Sequence, residues 1–207
     1  MKILRVGVLA SGRGSNLQAI IDASERGEIP ATVAVAVSDK AGARALDRAR
    51  KHGIPAVHIN PGYYKDRDEY EGRVVLEMRE YGVELVCLAG YMRLVGSTLL
   101  EAFPNRIMNI HPALLPSFKG LHAQKQAVDY GVRFSGCTVH FVDGGMDTGP
   151  VILQAVVPVH PDDGEDELSA RILEQEHRIY PEAIRLFAEG RLSVEGRRVI
   201  IRQGKSE

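Results

Sequence analysis

The chain alternates between short apolar runs and amphipathic stretches, with glycine or a polar turn at nearly every changeover. "ILRVGVLA" reads as a strand ended by "SGRGS", and "NLQAIIDASERG" has helical spacing, with Leu17, Ile20 and Ile21 on one face and Gly27 as its stop. "TVAVAVSD", "PAVHIN", "VELVCLAG" and "RIMNIH" continue as strands. The helices between them are "ARALDRARKHG", "DRDEYEGRVVLEMREYG" and a short piece near "GSTLLEAF". "VELVCLAG" is apolar throughout, as expected of a strand in the middle of a parallel sheet. Such alternation predicts an α/β fold in three layers, with helices on both faces of a mainly parallel sheet.

The second half keeps the pattern with one change. "HAQKQAVDYG" reads as a helix, "CTVHFVD" and "VILQAVVPV" as strands around the turn "GGMDTGP", and "EDELSARILEQEHRIYPEAIRLFAEG" as a long closing helix that must accommodate Pro181. The tail "RLSVEGRRVIIRQGKSE" suits a small hairpin. No internal repeat, low-complexity stretch or linker interrupts the chain, so a single domain over residues 1–207 is expected.

Composition narrows the partners. The formal net charge is −1, with both signs spread along the chain, which argues against nucleic-acid binding through a broad basic face. No apolar run approaches a membrane span. The basic-then-apolar N-terminus has the look of a weak signal peptide, but its apolar part is short and runs into the Gly-rich turn, so a first strand is expected instead. Cys87 and Cys137 each sit in an apolar run. They form no disulfide framework and no CxxC pair, and they fit buried thiols in a reducing cytosol.

Ligands of parallel sheets bind at the C-terminal ends of the strands. Three turns with chemical character, residues 11–16, 90–95 and 109–120, all follow expected strands. In "SGRGSN", Gly12 and Gly14 permit a tight turn, and the helix that follows offers the positive end of its dipole to an anion. Ser15 and Asn16 add donors, or serve as an ordinary N-cap. The loop is neither a Walker loop nor a full dinucleotide fingerprint, since Leu17 holds the third glycine position.

Asn109 and His111 stand two apart on a strand and therefore project to one side, with Ile110 turned to the core. An amide donor beside an imidazole suits a reaction that builds negative charge on a carbonyl oxygen. No GxSxG or cysteine-protease motif accompanies them, which points to direct attack by a substrate nucleophile. In "DGGMDTGPVI", either Asp143 or Asp147 is placed to orient the imidazole and raise its pKa.

Several motifs together resemble the glycinamide ribonucleotide formyltransferases, folate-dependent enzymes of purine synthesis: "GVLASGRGSNLQAII", "VCLAGYMRLV", "NIHPALLPSFKGLHA", "TVHFVDGGMDTGPVILQ" and "QEHRIYP". The resemblance runs from about residue 3 to about residue 190. It implies the formyltransferase fold, with a seven-stranded, mostly parallel (mixed) sheet, a Rossmann-like nucleotide-phosphate half over about residues 1–100 and a folate-binding and catalytic half over about residues 101–207.

Residue by residue, it implies that Gly14, Ser15 and Asn16 hold the ribose phosphate and Glu176 the glycinamide or ribose end. Arg67, Met92, Arg93, Leu94, Val95 and Asn109 would bind folate, and the turn from Val142 to Asp147 would close over the pterin. Asn109, His111 and Asp147 would be the catalytic trio. Arg13 and Ala113 depart from the residues common at their positions.

The implied reaction is attack by the neutral amine of glycinamide ribonucleotide on the formyl carbon of 10-formyltetrahydrofolate. Asn109 and a protonated His111 would stabilise the oxyanion, with Asp147 holding His111 cationic. No metal is implied, and no histidine pair has a ligand spacing such as HExxH. His122 and His140 are expected to be structural or supporting. The partners would be the two small molecules, with no nucleic acid and no membrane, and the protein would be a cytoplasmic monomer or homodimer. The rivals are a formyltetrahydrofolate hydrolase, expected to carry an extra N-terminal domain, a methionyl-tRNA formyltransferase, expected to carry a C-terminal RNA-binding domain, and a non-enzymatic nucleotide-binding module.

Overall fold

The computed structural model describes residues 2–204. Met1 and the end of the expected tail hairpin, residues 205–207, lie outside them. The chain divides into two compact units, residues 1–109 and 110–207.

The first unit is a run of βα units. Its strands are β1 (Leu4–Leu9), β2 (Ala31–Ser38), β3 (Ala56–His58), β4 (Leu85–Leu88) and β5 (Ile107–His111), the last of which ends just past the unit boundary. All pair in parallel, in the order β3-β2-β1-β4-β5. The helices are α1 (Ser15–Glu25), α2 (Arg44–Lys51), α3 (Arg67–Glu80) and α4 (Ser97–Ala102). A 3-10 turn at Pro61–Tyr63, which apolar periodicity does not announce, is capped by Asn60 accepting from the Gly62 N–H at 2.9 Å. The apolar runs are buried as their composition dictates, with Val6, Val8, Val35, Leu85, Val86, Cys87 and Met108 entirely without solvent contact. The strand order reverses direction between β1 and β4, the place where open α/β sheets bind ligands.

The second unit holds α5 (Ala123–Tyr130), β6 (Phe134–Phe141), β7 (Val151–Pro158), α6 (Glu165–Ala188), β8 (Leu192–Glu195) and β9 (Arg198–Ile201). β6 and β7 are antiparallel, β7 and β9 parallel, and β8 and β9 form the tail hairpin. α6 runs on through Pro181, as its apolar spacing requires. The described residues thus form nine strands, not the seven implied by the family resemblance. The two additional strands are the hairpin beyond residue 190, where the resemblance had already ended. Both cysteines are buried, and they are not joined in a disulfide. Among the described residues, no helix is long and apolar enough to cross a membrane.

Candidate active site

In the first unit the Gly-rich turn leaves β1. Gly14 is the N-cap of α1 with φ +71°, and a Cβ there would fall 2.6 Å from the Ala45 Cα. Glycine is therefore required twice over, by conformation and by space. The expected side-chain cap from Ser15 or Asn16 is not used, because both are already inside the helix. The helix begins with the Gln18 N–H donating to the Gly14 carbonyl at 3.0 Å, so the turn ahead of it carries the positive end of the dipole. Arg48 of α2 steadies this turn by donating from Nε to the Arg13 carbonyl at 3.0 Å.

The segment after β4 is held by α3. The Tyr70 and Tyr91 hydroxyls share a hydrogen bond of 2.9 Å, and the Arg93 guanidinium lies 5.1 Å above the Tyr70 ring. Burial pushes both phenols above their ordinary pKa, so the pair stays neutral. The buried Glu71 carboxylate accepts from the N–H groups of Gly96 at 2.5 Å and Leu99 at 3.1 Å. Arg67 opens α3, and its side chain lies along Gly96. Met92 and Leu94 stand exposed between these anchors. Arg67 thus lies beside Gly96, the residue that follows the 92–95 segment.

β5 carries the pair that drew notice in the sequence. Asn109 is half-buried, Ile110 is buried in the core, and His111 is only 4% exposed. His111 Nε2 donates to the Phe118 carbonyl at 2.8 Å, and its Nδ1 stands 3.5 Å from Asp147 Oδ2. The Gly120 N–H donates to that same Oδ2 at 2.9 Å. The Pro-rich turn therefore folds back and grips both the imidazole and the carboxylate. The turn is itself anchored by Thr138, whose hydroxyl donates to the Ala113 carbonyl at 2.7 Å and accepts from the Leu115 N–H at 3.1 Å. Gln154 completes the anchor, donating to the Leu115 carbonyl and to Thr138, each at 3.0 Å.

The choice left open between the two aspartates is resolved by geometry. Asp143 accepts from the Gly145 N–H at 3.0 Å and the Thr148 hydroxyl at 2.6 Å, and so shapes its own turn. Asp147, at φ +50°, is the one that meets His111. His140, buried in β6, places Nε2 3.6 Å from the other Asp147 oxygen. His122 is exposed, with Nδ1 3.8 Å from Glu165 Oε1. Glu176 is buried on α6. The Cys137 thiol is pushed up to about 12, by burial and then by the charge of Glu176.

The electrostatics correct one expectation. Burial lowers the His111 pKa below that of a free imidazole, while the Phe118 carbonyl and the Asp147 carboxylate act in the opposite direction and are outweighed. His111 thus rests neutral rather than cationic at pH 7. Burial would raise the Asp147 pKa, but His140, the Gly120 N–H and His111 together hold it below the ordinary carboxylate value. A neutral imidazole with Nε2–H committed to Phe118 has Nδ1 as its basic nitrogen. Once protonated there, it finds a carboxylate waiting.

The residues missed by sequence reasoning are Tyr70, Glu71, Phe118, Gly120, Thr138 and Gln154. Only Thr138, a hydroxyl inside the apolar run "CTVHFVD", carried a signal, that of a buried polar group needing partners.

Comparison with known proteins follows the same lines. The formyl transferase family matches residues 4–184. The chain is 44% identical over 191 residues to the phosphoribosylglycinamide formyltransferase of Escherichia coli (strain K12), covering 92% of this chain and 90% of that one. It is 45% identical over 188 residues to the trifunctional purine biosynthetic protein adenosine-3 of Drosophila melanogaster, covering 90% of this chain and 14% of that protein. The chain spans only 14–19% of the length of this and the similar trifunctional proteins. The crystal structure of glycinamide ribonucleotide transformylase 1 from Symbiobacterium toebii superposes with a TM-score of 0.97 at 57% identity, over 98% of this chain and 95% of that one. The chain belongs to the formyl transferase family.

Proposed function

We propose that the chain transfers the formyl group of 10-formyltetrahydrofolate to the primary amine of glycinamide ribonucleotide, giving formylglycinamide ribonucleotide and tetrahydrofolate in de novo purine biosynthesis. The observation that carries this reading is the buried His111, whose Nε2 is held on the Phe118 carbonyl while Nδ1 stands 3.5 Å from Asp147 Oδ2. The neutral amine attacks the formyl carbon, and the carbonyl electrons move to oxygen. Asn109 donates its amide N–H to that oxyanion. His111 takes the amine proton at Nδ1, directly or through water, and Asp147 stabilises the resulting imidazolium. The proton then passes to N10 of the folate as the C–N10 bond breaks, which returns His111 to neutrality. Charge and protons balance, and no step needs a metal.

Gly14, Ser15, Asn16 and Glu176 hold the ribonucleotide. Arg67, Met92, Arg93, Leu94, Val95 and Asn109 bind the folate. The protein acts on these small molecules in the cytoplasm, as a monomer or homodimer, without nucleic acid or membrane.

The test is to incubate the protein with formyl-labelled 10-formyltetrahydrofolate, with and without glycinamide ribonucleotide. Label should pass to the ribonucleotide with one equivalent of tetrahydrofolate released. Release of labelled formate without the ribonucleotide would instead mark a hydrolase, and no turnover a binding module.

A further inference from the structure

The sheet of the first unit switches direction between β1 and β4. The two segments leaving the C-terminal ends of those strands are the turn assigned to the ribonucleotide phosphate, Gly14–Asn16, and the segment assigned to the folate, Met92–Val95. Ser11 joins them. The Ser11 N–H donates to the Gly90 carbonyl at 3.0 Å, and the Ser11 hydroxyl oxygen accepts from the Met92 N–H at 3.0 Å. Below this point the strands are joined rung by rung, ending with the Ala89 N–H on the Leu9 carbonyl at 2.8 Å. At Ser11 the ladder gives way to a side chain, which extends the link one step into the folate segment.

The other anchors of that segment run to α3: Tyr91 and Arg93 to Tyr70, and Gly96 to Glu71. Ser11 is an anchor that runs to the phosphate turn, three residues before Gly14. An ion seated on that turn fixes residues 12–16, and with them the acceptor for Met92. The cost of ordering the folate segment is then already met when folate arrives.

We infer that Ser11 is a positioning residue that ties the two substrate subsites, so that ribonucleotide and folate each tighten the binding of the other. The inference rests on the two subsite assignments above. By linkage the effect has the same size in either direction.

The experiment is calorimetric titration of tetrahydrofolate into the wild-type chain, S11A and S11T, with and without glycinamide ribonucleotide, beside amide hydrogen exchange over residues 92–95. In the wild type, the ribonucleotide should tighten tetrahydrofolate about fivefold, the scale of one hydrogen bond. S11A should bind tetrahydrofolate about fivefold more weakly and show the same affinity with or without ribonucleotide, whereas S11T, which keeps the acceptor, should restore both. Equal tightening in S11A and wild type, or no tightening in the wild type, overturns the inference. Tetrahydrofolate should slow exchange at residues 92–95 in the wild type. If it does not, the folate assignment fails and takes the inference with it. If it does while S11A keeps its tightening, only the role of Ser11 is refuted.

Discussion

His111 and Phe118, seven residues apart on either side of a Pro-rich turn, are joined by a hydrogen bond of 2.8 Å from Nε2 to the carbonyl oxygen. That bond fixes the tautomer of the neutral ring and leaves Nδ1 as the site of proton uptake, 3.5 Å from Asp147.

Asp147→Asn removes the charge that raises the His111 pKa, so the imidazole should become still less basic. The acidic limb of the kcat/KM profile, already below the ordinary imidazole value of about 6.5, should move to lower pH. With both substrates saturating, kcat should fall on the order of a hundredfold, because the imidazolium loses its partner. An unmoved limb would remove Asp147 from the role of histidine partner.

The lowered His111 pKa also has a thermodynamic sign. The unfolded chain binds a proton at His111 more readily than the folded one, so stability falls as pH drops from about 6.5 toward the native pKa. Urea denaturation at pH 7.5 and pH 5.5 should show the wild type losing more stability than H111N over that interval. A constant difference between the two would contradict a buried neutral ring.

Asn109→Ala removes the amide assigned to the oxyanion. The expected result is a loss of about 10²–10³ in kcat with little change in either KM, the pattern of an interaction made only in the transition state. Steady-state kinetics varying each substrate in turn would show it, and a rise in KM alone would make Asn109 a binding residue.

Thr138→Val tests the support of the turn. Its hydroxyl serves Ala113, Leu115 and Gln154 from a fully buried position, and valine fills the space without serving any of them. Thermal unfolding should report a loss of about 1–3 kcal/mol. At temperatures where the variant is folded, kcat should still fall, because Phe118 and Gly120 lose their footing. Full activity in a destabilised variant would separate the turn from the chemistry.

The order of elements was legible because each strand in the first unit is an apolar run closed by glycine or polar residues. "VELVCLAG" and "RIMNIH" sit where β4 and β5 are found. The spacing of Asn109 and His111 was legible for the same reason, since a strand repeats every two residues. The grip of the turn was not. Phe118 and Gly120 act through their backbone, and a carbonyl or an N–H carries no mark in the side-chain alphabet. The choice of Asp147 over Asp143 depended on how a glycine-rich turn coils, and Asp143 spends its carboxylate on that turn. The resting charge of His111 was misjudged because the neighbouring carboxylate could be guessed from the chain while the depth of burial could not. The tail hairpin could be read as strands, but not as two members beyond the seven that the resemblance implied.

The central claim is that His111 carries the proton between the attacking amine and the leaving N10. His111→Asn, assayed with glycinamide ribonucleotide and 10-formyltetrahydrofolate both at saturation, tests it most directly. A fall in kcat of about 10²–10⁴ is predicted, the usual contribution of a positioned acid–base group. Turnover within a few-fold of the wild type would contradict it.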